Sequence, residues 1–173
     1  MQKNNHINKL IEQLQWLTSD DYSLDSFLYV SEKQSFEENR YNLQICLEFI
    51  YRCFKCDLIT WSFIADKNLA EIHQLDIPEK LVKKMGEYPL TFKLGSGVKF
   101  PELQSFIWDL CYVTSTEKLD EIVDKCALER GEYLNLSLDL SDNRWVLFKN
   151  EIYQIFLANN LPLNMKCPLF PIK

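Results

Sequence analysis

The stretch SFEENRYNLQICLEFIYRCFKC, residues 35–56, decides the fold. It opens with a capping box, in which the Ser35 hydroxyl and the Glu38 carboxylate can each satisfy a free backbone amide at a helix start. Apolar side chains then follow at helical spacing along two stripes. The first stripe is Leu43, Cys46, Leu47, Ile50, Cys53 and Phe54, and the second is Tyr41, Ile45 and Phe49. A helix that is apolar on two sides belongs in the interior, so we predict that this is the central helix.

The chain on either side of this helix contains two clear helices and two ambiguous stretches. Residues 4–17 carry apolar side chains at spacings of three and four, which predicts an amphipathic helix. A short helix is predicted to start near Asp76 and to be closed by Gly86. The segment from Leu24 to Val30 fits a helix or a strand. Residues 57–65 are rich in β-branched and aromatic types, and fit either a strand or an extension of the central helix.

Two further helices are predicted between residues 101 and 131. Pro101 suits the first turn of one, and its expected apolar face runs through Leu103, Phe106, Ile107, Leu110 and Cys111. Residues 114–117 resemble a second capping box. We therefore expect a helix that opens there and ends near Gly131.

The remaining patterns predict a small β element, a last helix and a non-helical tail. Residues 88–94 alternate and meet a Gly-Ser-Gly turn at 95–97, while residues 134–140 alternate Leu with polar side chains. Ser141 or Asp142 can cap a helix that carries Trp145, Phe148, Ile152, Ile155 and Phe156. Three prolines exclude a helix over residues 161–172. That tail is expected to lie over the core, held by Leu163, Leu169 and Phe170.

These patterns together predict one compact, mainly α-helical domain over residues 1–173 with a small β element, and an α+β arrangement stays open. No secretory signal and no apolar run near the ~20 residues of a membrane span are visible, so we expect a soluble, cytoplasmic protein. The formal charge of −6 and pI near 5.0 argue against nucleic-acid binding. The six cysteines are interpreted as free, buried thiols, because disulfides are rare in the cytosol.

Candidate catalytic and metal motifs are weak, so we expect no enzyme, no cofactor and no metal. Cys53 and Cys56 have redox or zinc spacing, but they lie late in a helix, and no second pair of ligands is visible. His73 lacks a nucleophile signature, and we interpret it as structural. The glycines at 95–97 lack the remaining residues of a phosphate-binding loop.

The charge distribution is the strongest functional hint. Residues 101–142 contain ten Asp or Glu against Lys118, Lys125 and Arg130, a net charge of −7. Such a field speeds the capture of a cationic partner, although a solvated helix face is the simpler interpretation. Tyr112, Tyr133, Trp108 and Trp145 lie within or beside this segment. Tyr and Trp are favoured anchors of protein interfaces.

In its size, acidity and lack of a catalytic signature, the chain resembles the immunity proteins of bacterial polymorphic toxin systems, of the contact-dependent inhibition and type VI secretion kinds. The resemblance implies that it neutralises one cognate toxin domain, often a basic nuclease, by occluding its active site. Another acidic adaptor or a small enzyme of unrecognised family are the alternatives. The expected partner-binding residues are Glu117, Asp120, Glu121, Asp124, Tyr133, Asp139 and Asp142.

Overall fold

The computed structural model describes residues 3–31, 33–88, 90, 102–130 and 142–172. These residues form α-helices, one 3-10 helix at Leu24–Phe27 and a three-stranded antiparallel sheet, so the fold is mainly α with a small β element, as predicted. The helices are α1 (Lys3–Trp16), α2 (Phe36–Lys55), α3 (Lys67–His73), α4 (Pro78–Met85), α5 (Glu102–Asp109), α6 (Glu117–Lys125) and α7 (Asn143–Ala158). The strands are β1 (Tyr22–Ser23), β2 (Ile59–Ile64) and β3 (Cys111–Ser115).

Helix α2 is the centre of the fold. Its capping box forms as predicted: the Ser35 hydroxyl accepts the Glu38 amide at 3.2 Å, and the Glu38 carboxylate accepts the Ser35 amide at 2.9 Å. Every residue from Ile45 to Cys53 is buried, so the middle of the helix has no side that faces solvent. Helices α1 and α4 pack against it. Each large apolar side chain buried there stabilises the fold by about 1.5–3 kcal/mol.

The two ambiguous stretches have different outcomes. The segment that begins at Leu24 is the 3-10 helix, and residues 57–65 contain strand β2. Helix α2 cannot continue into β2 because Asp57 adopts a left-handed conformation with φ 57°. The Leu58 amide then bonds back to the Cys53 carbonyl at 2.9 Å, which closes the helix end and turns the chain into the sheet.

The sheet has the order β1-β3-β2, with all pairs antiparallel. Cys111 and Val113 of the middle strand are fully buried, so these positions face the core. Tyr112 and Thr114 alternate with them and face outward. A bulge in β2 precedes Phe63, which lies opposite Tyr112 in the ladder.

The helix predicted to start near residue 101 forms, but the prediction that its apolar face extends through Leu110 and Cys111 is wrong. Helix α5 stops at Asp109, Leu110 is 46% exposed, and Cys111 is already in β3. Cys111 pairs with Ile64 of β2, so the ladder overrides the helical spacing of the sequence.

The predicted position of the second capping box, at residues 114–117, is also wrong. Thr114 pairs with Thr60 in the sheet, and the cap of α6 is Thr116, whose hydroxyl accepts the Leu119 amide at 3.4 Å. The helix starts at Glu117, because the residues before it belong to β3.

Helix α6 ends at Lys125, well before the predicted end near Gly131. Ala127 is left-handed with φ 53°, and the Leu128 amide bonds to the Val123 carbonyl at 3.1 Å. The same device ends other helices of this glycine-poor chain. The described residues other than glycine with positive φ are Asp57, Gln74, Ala127 and Asn160.

Several other predictions have clear outcomes. Helix α4 ends at Met85 before Gly86, as predicted, and Asp142 caps α7. Most of the predicted strand at 88–94, the turn at 95–97 and the predicted strand at 134–140 lie outside the described residues. Tyr88 and Leu90 are described and are not in a strand.

The C-terminal tail is tied to α2 by a buried ion pair. The Arg52 guanidinium donates to the Leu161 and Pro162 carbonyls, both at 2.8 Å, and pairs with the Glu48 carboxylate at 2.7 Å. The other oxygen of Glu48 accepts the Phe170 amide at 2.9 Å. Tail and central helix therefore share one network of buried polar contacts.

The tail confirms two of its three predicted anchors. Leu163 and Phe170 pack against the core, whereas Leu169 is 49% exposed. Cys167 is also exposed, because it lies in a turn of this segment, so the expectation of six buried thiols is wrong for that residue. The other five cysteines are buried and free.

Candidate protein-binding surface

Helix α6 carries most of the predicted partner-binding residues, and its position is fixed by the end of α2. The Thr116 hydroxyl donates to the Asp57 carbonyl at 2.7 Å. Lys118 donates to the Cys56 carbonyl at 2.6 Å. Its positive charge there interacts favourably with the negative C-terminal end of the α2 dipole. Leu119, Ile122 and Val123 bury the inner face of α6. The predicted residues that it carries are Glu117, Asp120, Glu121 and Asp124.

Glu117 and Glu121 are exposed and have no hydrogen-bond or ion-pair partner in the part of the chain that the structure describes. They lie four residues apart, so both point from one face of the helix. Two unpaired carboxylates on one face repel each other slightly. They are also free to meet a cation from outside the protein.

Asp120 and Asp124 are held by Arg130. The guanidinium donates to Asp124 through Nε at 2.9 Å and through Nη2, and it lies 3.4 Å from Asp120 Oδ2. The hydrogen bonds from Arg130 lower the pKa of Asp124. The sequence analysis counted Arg130 only as a charge. The early end of α6 folds the chain back and brings Arg130 to these carboxylates, and no local pattern signalled that turn.

Asp142 is engaged by its own helix. It caps α7 by accepting the Arg144 amide at 2.8 Å, and it also accepts the Arg144 guanidinium at 2.6 Å. These bonds lower the pKa of Asp142. Arg144 reaches the Ala127 carbonyl at 3.5 Å, which brings Asp142 close to the end of α6. A Lys125–Glu151 ion pair at 2.8 Å also joins α6 to α7.

The aromatic anchors considered for this segment differ in their burial. Tyr133 and Asp139 lie outside the described residues. Trp108 and Trp145 are each 1% exposed and belong to the core. Tyr112 faces outward from β3 and is half-buried.

Two of the candidate chemical motifs, the Cys53–Cys56 pair and His73, lie within the described residues. Cys53 and Cys56 are buried, and burial raises the pKa of both thiols, which disfavours the reactive thiolate. Burial likewise raises the pKa of Cys111 to about 12. His73 is the last residue of α3 and is half-buried. Within the described ranges, no group of three or more His, Cys, Asp or Glu side chains could hold a metal ion.

No family model, no curated protein and no solved structure matches the chain. Among the described helices, none combines the length and the apolar character that a membrane crossing requires. The surface is therefore interpreted from its own chemistry. Of the seven predicted residues, four lie together on α6, one lies near its end, and two lie outside the described ranges.

Proposed function

We propose that this protein is an immunity-type inhibitor, which binds a cognate bacterial toxin domain in the cytoplasm and acts by occlusion, without catalysis. The toxin surface that it covers is basic, as in a nuclease. The observation that carries the proposal is the outer face of α6, where Glu117 and Glu121 are exposed and unpaired within the described residues. The helix beneath them is anchored by Thr116 and Lys118, so little order has to be gained on binding.

The physical basis is competition for cations. A nuclease holds nucleic-acid phosphates with Lys and Arg, and carboxylates can occupy the same side chains. Residues 101–142 contain three cations against ten carboxylates, and all three are used inside the protein, while Arg144 pairs with Asp142 from outside the segment. Lys118 binds a carbonyl, Lys125 binds Glu151, and Arg130 binds Asp120 and Asp124. The remaining negative field attracts a basic partner and raises the rate of encounter.

The test is a binding measurement with the toxin domain encoded beside this gene. The purified chain is expected to form a stoichiometric complex with it, to abolish its activity and to associate more slowly as salt rises. Glu117→Gln combined with Glu121→Gln should slow association about three- to tenfold at low salt, because steering charges are lost. Dissociation should change little, since rim charges act mainly on the association rate.

The matched control is Glu37→Gln combined with Glu71→Gln, which removes the same charge from exposed positions on α2 and α3. Association should then slow far less. If the two double variants slowed association equally, only the net charge of the protein would matter, and the face of α6 would not be the binding surface. A neighbouring toxin that neither binds nor is inhibited would overturn it, and stable capture of a different protein would favour the adaptor alternative.

A further inference from the structure

The outer face of the sheet carries three apolar side chains outside the acidic face of α6. Phe63 is 54% exposed, and its ring meets Tyr112 edge to face with centroids 6.1 Å apart. Leu110 is 46% exposed and lies two residues before Tyr112, so strand alternation puts it on the same side. The Ala65 amide bonds to the Leu110 carbonyl at 3.2 Å, which continues the pairing of the strands to this point. We call Phe63, Leu110 and Tyr112 the outer apolar cluster.

This cluster departs from the pattern expected of a half-solvated sheet. An antiparallel sheet with one face on the core normally presents polar residues on the other face. The next outward pair, Thr60 and Thr114, follows that rule two positions along β3. The outer apolar cluster departs from this rule. Cys111 and Val113 already pack the inner face of the sheet against the core, so the core does not require apolar residues on the outer face. Contiguous exposed apolar groups of this kind mark interaction sites.

Carboxylates from the segment around β1 and from the end of α5 lie near the outer apolar cluster. Asp21 accepts the Ser62 hydroxyl of β2 at 2.8 Å. Ser23 lies opposite Tyr112 and donates its hydroxyl to Asp25. Asp109 directly precedes Leu110 of the cluster, and the charge of Asp25 adds to burial in raising the pKa of Asp109. We call Asp21, Asp25 and Asp109 the carboxylate rim.

We infer that the outer apolar cluster is the anchor of a protein-docking surface, and that its occupant is a partner surface with an apolar or aromatic residue ringed by Lys and Arg. This inference rests on the proposed function for the basic character of the partner. An apolar anchor inside a polar rim is the arrangement of an interface hot spot. The carboxylate rim supplies the charge that such a partner complements.

The anchor and the acidic helix fit within one interface. Tyr112 and the α6 cap Thr116 are four positions apart along nearly extended chain. At about 3.3 Å per residue this spans about 13 Å. One side of a standard interface covers about 800 Å², a disc of about 16 Å radius. The outer apolar cluster and Glu117 therefore lie within the span of one interface.

The test uses a defined probe, the synthetic peptide Lys-Arg-Trp-Leu-Arg-Lys, with the ¹⁵N-labelled full chain followed by NMR. We expect amide shifts on β2, β3 and residues 21–25, and none from a control peptide with Glu in place of every Lys and Arg. Phe63→Ser should weaken peptide binding about tenfold or more, as expected for a central anchor. Phe36→Ser is the matched control, because Phe36 is 49% exposed on α2, away from the sheet. It should leave binding unchanged.

Each other result overturns the inference. Shifts that map to α6 alone, no shifts, or equal losses from Phe63→Ser and Phe36→Ser would remove the anchor. A dimer in sedimentation that Phe63→Ser dissociates would replace the partner by a second copy of the chain. The toxin domain separates this inference from the proposed function. If the toxin binds the chain and Phe63→Ser leaves its dissociation rate unchanged, the inhibitor stands and the docking surface fails. If the peptide binds as expected but no toxin domain binds, the docking surface stands and the proposed inhibitor function fails.

Discussion

Two carboxylate–guanidinium ion pairs of this protein differ in how deeply they are buried. The Glu48–Arg52 pair has side chains only 0% and 2% exposed. The pair of Arg130 with Asp124 has side chains 42% and 58% exposed. The first site joins distant parts of the chain, whereas the second lies on a helix face open to solvent.

The difference shows in how completely each charge is satisfied. Arg52 donates to the carbonyls of Glu48, Leu161 and Pro162 as well as to the carboxylate of Glu48. Glu48 in turn accepts the Phe170 amide. A buried charge needs this full set of partners, because an unpaired one costs several kcal/mol. An exposed carboxylate has water as an alternative, so α6 can leave Glu117 and Glu121 unpaired for a partner.

The largest expected effect comes from Arg52→Met. It leaves the Glu48 carboxylate buried without its cation and releases the Leu161 and Pro162 carbonyls, so the free energy of unfolding should fall by about 3–5 kcal/mol. Denaturant unfolding measures this loss. Arg52→Met with Glu48→Gln removes both charges and should recover part of the stability. A single variant that unfolds like the wild type would contradict the role given to this pair.

The central helix and the charges of α6 were predictable because their signals are local. The capping box at Ser35, the two stripes of α2 and the cap at Asp142 each depend on residues within a few positions. The same holds for Glu117 and Glu121, whose spacing of four places them on one face once α6 is a helix. Short-range geometry therefore accounts for most of the helices and for the face of the candidate site.

The rest depended on contacts between distant positions. The strand at Cys111 is defined by pairing with β2, which lies about fifty residues earlier, and its helical spacing was misleading. No local pattern links Arg52 to Leu161, 109 residues away. The end of α6 was missed because Ala127, and not a glycine, adopts the left-handed turn. Arg130 was consequently not expected to reach Asp120 and Asp124.

Ala127→Gly tests that turn and should have the next largest effect. A left-handed conformation costs an L-residue about 1–2 kcal/mol, and glycine adopts it freely. The free energy of unfolding should rise by about 1 kcal/mol, less the added chain entropy of glycine in the unfolded state. Ala158→Gly, in the right-handed last turn of α7, should give no gain. A gain of equal size in both variants would contradict the strain at Ala127.

Asp109→Asn probes an exposed carboxylate whose pKa is shifted by no cation among the described residues. Burial, and then the charge of Asp25, raise the pKa of Asp109, so the folded state holds the proton more tightly than the unfolded chain. That stability is present below the ordinary pKa and is lost as pH rises through the folded value. The variant should be more stable at neutral pH by less than about 1 kcal/mol, given solvent screening. Denaturant unfolding below pH ~4 should show no gain, and a gain independent of pH would contradict this account.

Arg130→Gln should have the smallest effect on stability and completes the comparison with Arg52→Met. Hydrogen bonds from Arg130 lower the pKa of Asp124, so their contribution is present above the ordinary pKa and is lost as pH falls through the folded value. Because the pair is exposed, the free energy of unfolding should be indistinguishable from that of the wild type. Carboxyl NMR should nevertheless show the pKa of Asp124 rising toward its ordinary range. Association with the basic toxin domain should be faster, because Asp120 and Asp124 lose their internal cation. A loss of stability comparable to that of Arg52→Met would show that the α6 face is built into the fold, and would leave Glu117 and Glu121 as its free carboxylates.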